Sequence, residues 1–315
     1  MDLAPPAIQV IGAIRLPPGS EVVTDADEEV FIIYSLLQSK PAASDKDSKF
    51  RGLGHVDSLT DVLDINFEIK LPSNNCPEGG RPGSKRARSR KRHVEINEKV
   101  IHVTLAQDKT ALRTRKGDTG SVLWKASIDF AQLVLEQIHS IPNDSLLDPK
   151  KLQEQHILEL GSGTGLLSVV FAPLVGHYTA TDLSELVPLM RKNISLNFPG
   201  WSVNNVSAEE LDWISLSTAS VALRKRIANF RPVDILLVVD CIYHPSLLPH
   251  LVETIDYLSI PGRTVVLVLV ELRAEDVIRE FLTIWLNQPM WRIWRIGNDT
   301  FPMPYVAWAG CKSSS

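Results

Sequence analysis

Long apolar runs are missing from this sequence. Its most hydrophobic stretches, ILLVVD and TVVLVLV, fall far short of the roughly 18 residues that a membrane-spanning helix needs. The opening MDLAPPAIQVIGAIRLPPGS has no basic residue ahead of its apolar part and is broken by prolines, so no signal peptide is expected. Cysteine is scarce. Cys76, Cys241 and Cys311 are odd in number and lack metal-ligand spacing, which argues against a disulfide framework and for reduced thiols in a cytoplasmic or nuclear protein. A general surplus of positive charge is also absent. The net charge is −4, yet residues 81–92, RPGSKRARSRKR, hold seven basic residues and no acid, leaving −11 on the rest. A uniformly basic nucleic-acid binder is not built that way.

What is present is an ordinary globular composition, 44% hydrophobic and 22% charged over 315 residues. That length suits one large domain with additions, or two domains. Before residue 119, EEVFIIYSLLQ reads as a strand, and LTDVLDINFEIKL and EINEKVIHVTLAQ read as two partner strands. Residues 72–94 between that pair are rich in Pro, Gly, Ser, Asn and Arg. They cannot bury a core and are expected to be disordered. The first part, 1–118, is thus expected to be a small β extension carrying a basic insert. Three readings of the basic run remain: a solvated loop, an import-receptor signal, or a contact for RNA or an acidic protein.

From residue 119 to 315 the pattern changes. SIDFAQLVLEQIHS has helical spacing, and the short apolar segments QHILEL, HYTATDL, WSVNNV, DILLVVD and RTVVLVLVEL alternate with amphipathic ones such as SELVPLMRKNISLN and AEDVIREFLTIWLNQ. Strands alternating with helices predict an α/β fold with a parallel sheet. MWRIWRI and YVAWAGC, joined by a turn, predict a final antiparallel hairpin.

One stretch asks for a ligand. ELGSGTGLLS places Gly161, Gly163 and Gly165 just after the apolar run HILEL. Glycine there permits positive φ and close backbone approach. The loop after the first strand of such a sheet meets a nucleotide's sugar or phosphate with bare amides. A dinucleotide fingerprint would put its third glycine at Leu166; the G-x-G-x-G spacing after LE fits S-adenosylmethionine sites better. TATDL then ends a second strand with Asp182, 19 residues after Gly163. An acid at that offset accepts hydrogen bonds from ribose hydroxyls, although it would also serve as a helix cap.

With LELGSGTGLLS, TDL before a helix ending RKNISLN, AEELDW, DILLVVDCIYHPSLLPHLVETI and the upstream TGSVLWKASIDFAQLVL, the chain resembles the seven-β-strand protein-lysine methyltransferases called family 16. Members of that family modify chaperones, an AAA ATPase, translation factors and ribosomal proteins. The resemblance spans about residues 119–312 and implies a Rossmann-like sheet of six parallel strands plus one antiparallel final hairpin strand. It implies S-adenosyl-L-methionine as cofactor and a protein lysine as acceptor; a monomer is expected. By the same resemblance Trp124 closes over the cofactor's methionine end, and Gly161, Ser162 and Gly163 line it. Asp182 holds the ribose, while Trp213 and Val239 border the adenine. Asp240 and Tyr243 match the family's D-x-x-Y motif where substrate meets cofactor.

Those residue types suit the chemistry. A lysine ammonium with pKa near 10.4 has no lone pair and must first lose its proton. Burial beside a sulfonium favours that loss, and alignment behind the methyl does most of the rest. Asp240 is expected to orient the amine and Tyr243 to offer a ring face or a hydroxyl. Glu159, ending the first strand, either accepts from nearby amides or faces the cofactor's amino group. Cys241 reads as a small core residue, Glu271 and Arg273 as a substrate-side pair or a surface ion pair, and Trp285, Trp291, Trp294 and Trp308 as core. Other acceptors compete with lysine, among them RNA and small molecules. The N-P-P-Y motif of adenine amine methylation is replaced here by DCIY. A non-catalytic client-binding protein is the remaining alternative.

Overall fold

The computed structural model describes residues 9–39, 54, 56, 60–71, 98–108, 119–201, 204–297 and 299–314. The basic run at 81–92 and the insert expected at 72–94 lie outside the described residues. In chain order the strands are β1 (Gln9–Ile11), β2 (Ile14–Leu16), β3 (Glu21–Val23), β4 (Val62–Lys70), β5 (Glu98–Ala106), β6 (His156–Leu160), β7 (His177–Asp182), β8 (Val206–Glu210), β9 (Ile235–Val239), β10 (Val265–Glu271), β11 (Trp291–Arg295) and β12 (Tyr305–Lys312). The α-helices are α1 (Ala26–Ser39), α2 (Lys125–Ser140), α3 (Pro149–Leu152), α4 (Leu166–Phe171), α5 (Val187–Asn197), α6 (Trp213–Thr218), α7 (Val221–Ile227), α8 (Leu248–Leu258) and α9 (Glu275–Leu286).

The main sheet has the order β3-β11-β12-β10-β9-β6-β7-β8. Strands β10, β9, β6, β7 and β8 pair in parallel, and β12 runs antiparallel between β10 and β11. The expected pattern of six co-directional strands and one reversed hairpin strand is present. The sheet has an eighth strand because β3, from the N-terminal segment, pairs antiparallel with β11. Alternation explains the layering, since successive side chains leave a strand on opposite faces. Ile235, Leu237 and Val239 of β9, with Val265, Leu267 and Leu269 of β10, enter a core shared with α2, α4 and α5. Leu236, Val238, Val266, Val268 and Val270 enter the opposite core, shared with α1, α8 and α9. Strands covered on both faces read as continuous apolar runs, which is what ILLVV and VVLVLV are.

Two expectations for secondary structure are corrected. EEVFIIYSLLQ is not a strand but lies in α1. Ala26, Val30, Ile33, Tyr34 and Leu37 share the face that packs into the second core, and the Glu28 N–H donates to Asp25 Oδ1 at 2.8 Å as a cap. The β-branched pair in FIIY misleads; the 3–4 residue spacing of the buried positions decides. WSVNNV is likewise mostly not a strand. Pro199–Trp201 is a 3-10 turn with Gly200 at φ 74°, and pairing with β7 begins only at Val206.

The β4–β5 hairpin, expected from the sequence, pairs from Val62↔Ala106 to Lys70↔Glu98. Its β5 edge is closed by two side-chain amides from α5. Asn193 accepts from the Ala106 N–H at 2.7 Å and donates to the Ala106 carbonyl at 3.0 Å. Asn197 does the same for Thr104 at 3.0 and 2.8 Å. The i, i+4 repeat on the helix matches the i, i+2 repeat on the strand, so two amides stand in for a missing strand. Asn193 also donates to the Thr164 carbonyl at 2.8 Å, which ties the hairpin to the glycine loop.

Candidate active site

In an open α/β sheet the crevice at the carboxyl ends of the strands opens where the strand order reverses. Here that point lies between β6 and β9, because the chain runs outward through β7 and β8 before returning to β9. A cavity of about 580 Å³ opens there, within the size range of small-molecule sites. It is walled by the segments following β6, β7, β8, β9 and β10, together with the start of α2.

The glycine loop has the conformation its composition demands. Gly161, Gly163 and Gly165 have φ of 69°, 54° and 78°, values that other residues adopt only at a cost. Space is equally restrictive. A methyl at Gly161 would come within 2.6 Å of Cys241 Sγ and 3.3 Å of the Trp213 ring, and one at Gly163 within 3.0 Å of the Gly120 carbonyl. Gly120, from the TGSVLW segment, is itself so close that a methyl would lie 2.5 Å from Leu186. Ser162 stitches the loop to β7, donating its N–H to the Thr181 carbonyl at 3.0 Å and accepting the Thr181 N–H on Oγ at 3.1 Å.

Asp182 stands at the end of β7 on the cavity wall. Its Oδ2 accepts the Gly163 N–H at 2.8 Å and its Oδ1 the Leu183 N–H at 2.8 Å. Each carboxylate oxygen keeps acceptor capacity for a further donor. Trp213 opens α6 beside Gly161, after the Asp212 cap accepts the Ile214 N–H at 2.9 Å, and Val239 faces the same end. At the other end, Asp240 adopts φ 57°, rare for a residue with a side chain. Both of its oxygens are held by Arg273, Oδ1 by Nη1 and Oδ2 by Nη2, each at 2.7 Å. The Arg273 guanidinium lies 5.4 Å from the centre of the Trp124 ring, and Trp124 Nε1 donates to the Thr119 carbonyl at 2.6 Å. The Tyr243 hydroxyl is 3.0 Å from Thr119 Oγ1. Burial raises the Tyr243 pKa, the Thr119 contact opposing, so at neutral pH it is a phenol.

The cavity therefore brings together Trp124, Gly161, Ser162, Gly163, Asp182, Trp213, Val239, Asp240 and Tyr243 from the sequence-based set. Glu159 and Gly165 are not in its wall. Glu159 is buried beneath the loop, where its Oε2 accepts the Tyr178 hydroxyl at 2.8 Å. Burial pushes its pKa up to about 7, against the pull of the Tyr178 and Ser162 hydrogen bonds. Gly165 instead starts α4 and packs on Met190. Cys241 is buried, its Sγ facing the Leu160 carbonyl at 3.3 Å, and burial lifts its pKa well above the usual thiol value. It is no activated nucleophile. Trp285, Trp294 and Trp308 are core, as expected, whereas Trp291 is only partly buried against that core. Sequence reasoning missed more than half of the wall, including Thr119, Gly120, Ser127, Leu186, Leu211 and Leu247, which adjoin none of the residues it had found, and Thr164, Leu183, Asp212 and Ile214, which do.

The cavity thus fits the adenosyl donor that the glycine spacing anticipates. It offers a glycine loop packed too closely on its neighbours for a Cβ, a carboxylate at the end of β7 and an indole beside the loop. The family model described as lysine methyltransferase matches residues 106–285, more than half of the chain. The chain belongs to the lysine methyltransferase family. The match takes in β6 to β10 and every cavity residue named above.

Three relatives are similar over parts of their length. The protein-lysine methyltransferase METTL21E of Bos taurus is 35% identical over 128 residues, 39% of this chain and 41% of that protein. The protein-lysine N-methyltransferase EFM3 of Chaetomium thermophilum is 28% identical over 209 residues, 64% of this chain and 56% of that protein. A diaminohydroxyphosphoribosylamino-pyrimidine deaminase of Schizosaccharomyces pombe is 34% identical over 192 residues, 60% of this chain and 42% of that protein. The chain covers less than two thirds of each relative, and more than half of the deaminase lies outside the match.

Proposed function

We propose that the protein is an S-adenosyl-L-methionine-dependent protein-lysine N-methyltransferase. The observation that carries this reading is the single cavity wall in which a left-handed glycine loop and Asp182 meet Asp240 and Tyr243. When bound, S-adenosyl-L-methionine supplies a methyl group on a cationic sulfur. Asp182 would receive the ribose hydroxyls on oxygens already oriented by the Gly163 and Leu183 amides. Trp213 and Val239 would cover the adenine, and Trp124 would border the methionine end. Leu183, Leu186, Leu211 and Ile214 give the groove an apolar lining. The lysine reaches the far end as a neutral amine after losing its proton to solvent. Tyr243, a phenol held by Thr119, and Asp240 fix its approach along the line of displacement.

The acceptor is read as a protein, in keeping with the names of the relatives METTL21E and EFM3. We place the enzyme in the cytoplasm or nucleus as a monomer. Residues 81–92 are proposed to contact RNA or an import receptor, and residues 119–315 to form the catalytic domain with 1–118 as its extension. Among the described residues no helix is long and apolar enough to cross a membrane. Two measurements test the reading. Calorimetry with S-adenosylhomocysteine should show one site. Radiolabelled S-adenosyl-L-methionine with a lysate of methylation-inhibited cells should label a protein band that survives ribonuclease. Label lost with the RNA would transfer the activity to an RNA acceptor.

A further inference from the structure

Arg273 follows β10 directly and is bound more elaborately than a surface ion pair requires. It grips Asp240 with both arms of its fork, donates from Nη2 to Glu271 Oε2 at 2.8 Å, and lies over the Trp124 ring. Gly54 lies against its outer side. A methyl on Gly54 would meet Arg273 Nη2 at 2.9 Å and the Trp124 ring at 3.1 Å, and the Gly54 carbonyl accepts the Lys125 N–H at 2.9 Å. The Asp240 side chain is only 5% exposed and stands on a residue at positive φ. A strained backbone of this kind persists only where its surroundings over-determine it. The bidentate fork, the Asp240 N–H to the Leu269 carbonyl at 2.7 Å and the Glu271 N–H to Asp240 Oδ1 at 3.2 Å provide that.

We propose that Arg273 is a positioning residue: its guanidinium holds the Asp240 carboxylate and the Trp124 ring at the acceptor end of the cavity in the geometry that methyl transfer uses. This rests on the proposed function. Charge supplies a second role. During transfer the N–C bond forms as the C–S bond breaks, the electron pair returns to sulfur, and positive charge moves to nitrogen. Asp240 and Glu271 with one guanidinium carry a net single negative charge, enough to favour the cationic product. Without the guanidinium, two close carboxylates would hold an incoming lysine as its unreactive ammonium. A lysine at 273 would keep the charge but lose the planar fork and the stacking.

The test uses full-length protein, radiolabelled S-adenosyl-L-methionine and a lysate of methylation-inhibited cells, with initial labelling rates measured between pH 6 and pH 10. R273K is expected to bind S-adenosylhomocysteine within about threefold of wild type while its rate falls about 10- to 100-fold, with an unchanged pH midpoint. R273M is expected to lose more and to move that midpoint upward by about one unit. Should R273M fail to fold, R273Q replaces it. Wild-type rates in R273K, a loss of S-adenosylhomocysteine affinity in step with rate, or an unmoved midpoint in the neutral variant overturns the role. No labelling by wild-type protein that binds S-adenosylhomocysteine overturns the proposed function, and this role with it.

Discussion

Replacing Glu159 by glutamine tests whether the carboxyl group under the glycine loop belongs to the scaffold or to the ligand. The group is 3% exposed and accepts the Tyr178 hydroxyl. Its pKa is pushed from 4.5 to about 7, chiefly by burial. Below pH 4.5 the group is protonated in both folded and unfolded chains, and its full contribution to stability is present. Between pH 4.5 and 7 the unfolded chain releases the proton while the folded chain keeps it, so stability falls as pH rises. The gap amounts to about 3 kcal/mol once pH passes 7. Glutamine still accepts from Tyr178 and never ionises, but its added N–H donors cost about 1 kcal/mol if one is left unpaired. E159Q should therefore be about 1 kcal/mol less stable than wild type near pH 4.5 and about 2 kcal/mol more stable at pH 8. Urea denaturation of both proteins at the two pH values measures this. A stability difference that does not change with pH would refute the reasoning. Affinity for S-adenosylhomocysteine at pH 7 should be unchanged, since the carboxyl is turned from the cavity; a tenfold loss would return Glu159 to the ligand.

Other outcomes follow from the same geometry. Gly161→Ala combines a positive φ costing about 1–2 kcal/mol with a 2.6 Å clash on Cys241 Sγ; calorimetry should show S-adenosylhomocysteine affinity reduced by about tenfold or more. Asp240→Ala should abolish methyl transfer in the labelling assay while leaving most of that affinity; equal loss of both would make Asp240 a scaffold residue. Asn193→Ala removes three buried hydrogen bonds, to Ala106 N–H, Ala106 carbonyl and Thr164 carbonyl, and urea denaturation should show about 2–4 kcal/mol lost. Glu29→Ala strips the buried Arg295 guanidinium of its 2.6 Å partner and Trp308 Nε1 of its acceptor. Arg295 keeps Glu21 as a second partner, so about 2–3 kcal/mol should be lost in the same assay.

How much was legible depended on how local the cause is. The βα alternation, the glycine loop, Asp182 and the DCIY turn rest on neighbouring residues: apolar runs buried on both faces, glycine at positive φ, an acid closing a strand. Those were readable without a fold. Glu159, at the end of the strand before the loop, reads from the sequence either as an acceptor for nearby amides or as a ligand residue, because the direction of its side chain depends on the neighbouring strand β7, where Tyr178 donates to it. Gly165 shares the spacing of its two neighbours but spends its conformation on starting α4.

Sequence by itself determined the parallel sheet, the place of the crevice and the residues at the strand ends that anchor the cavity wall, because period, turn chemistry and strand ends are short-range properties. Tertiary structure alone decided that α1 packs on α9 and that β3 extends the sheet. It alone brought Arg273, 33 residues beyond Asp240, to grip that carboxylate against Trp124. Contacts between distant segments form only after the chain has closed, and no local pattern in the letters encodes which two of them will meet.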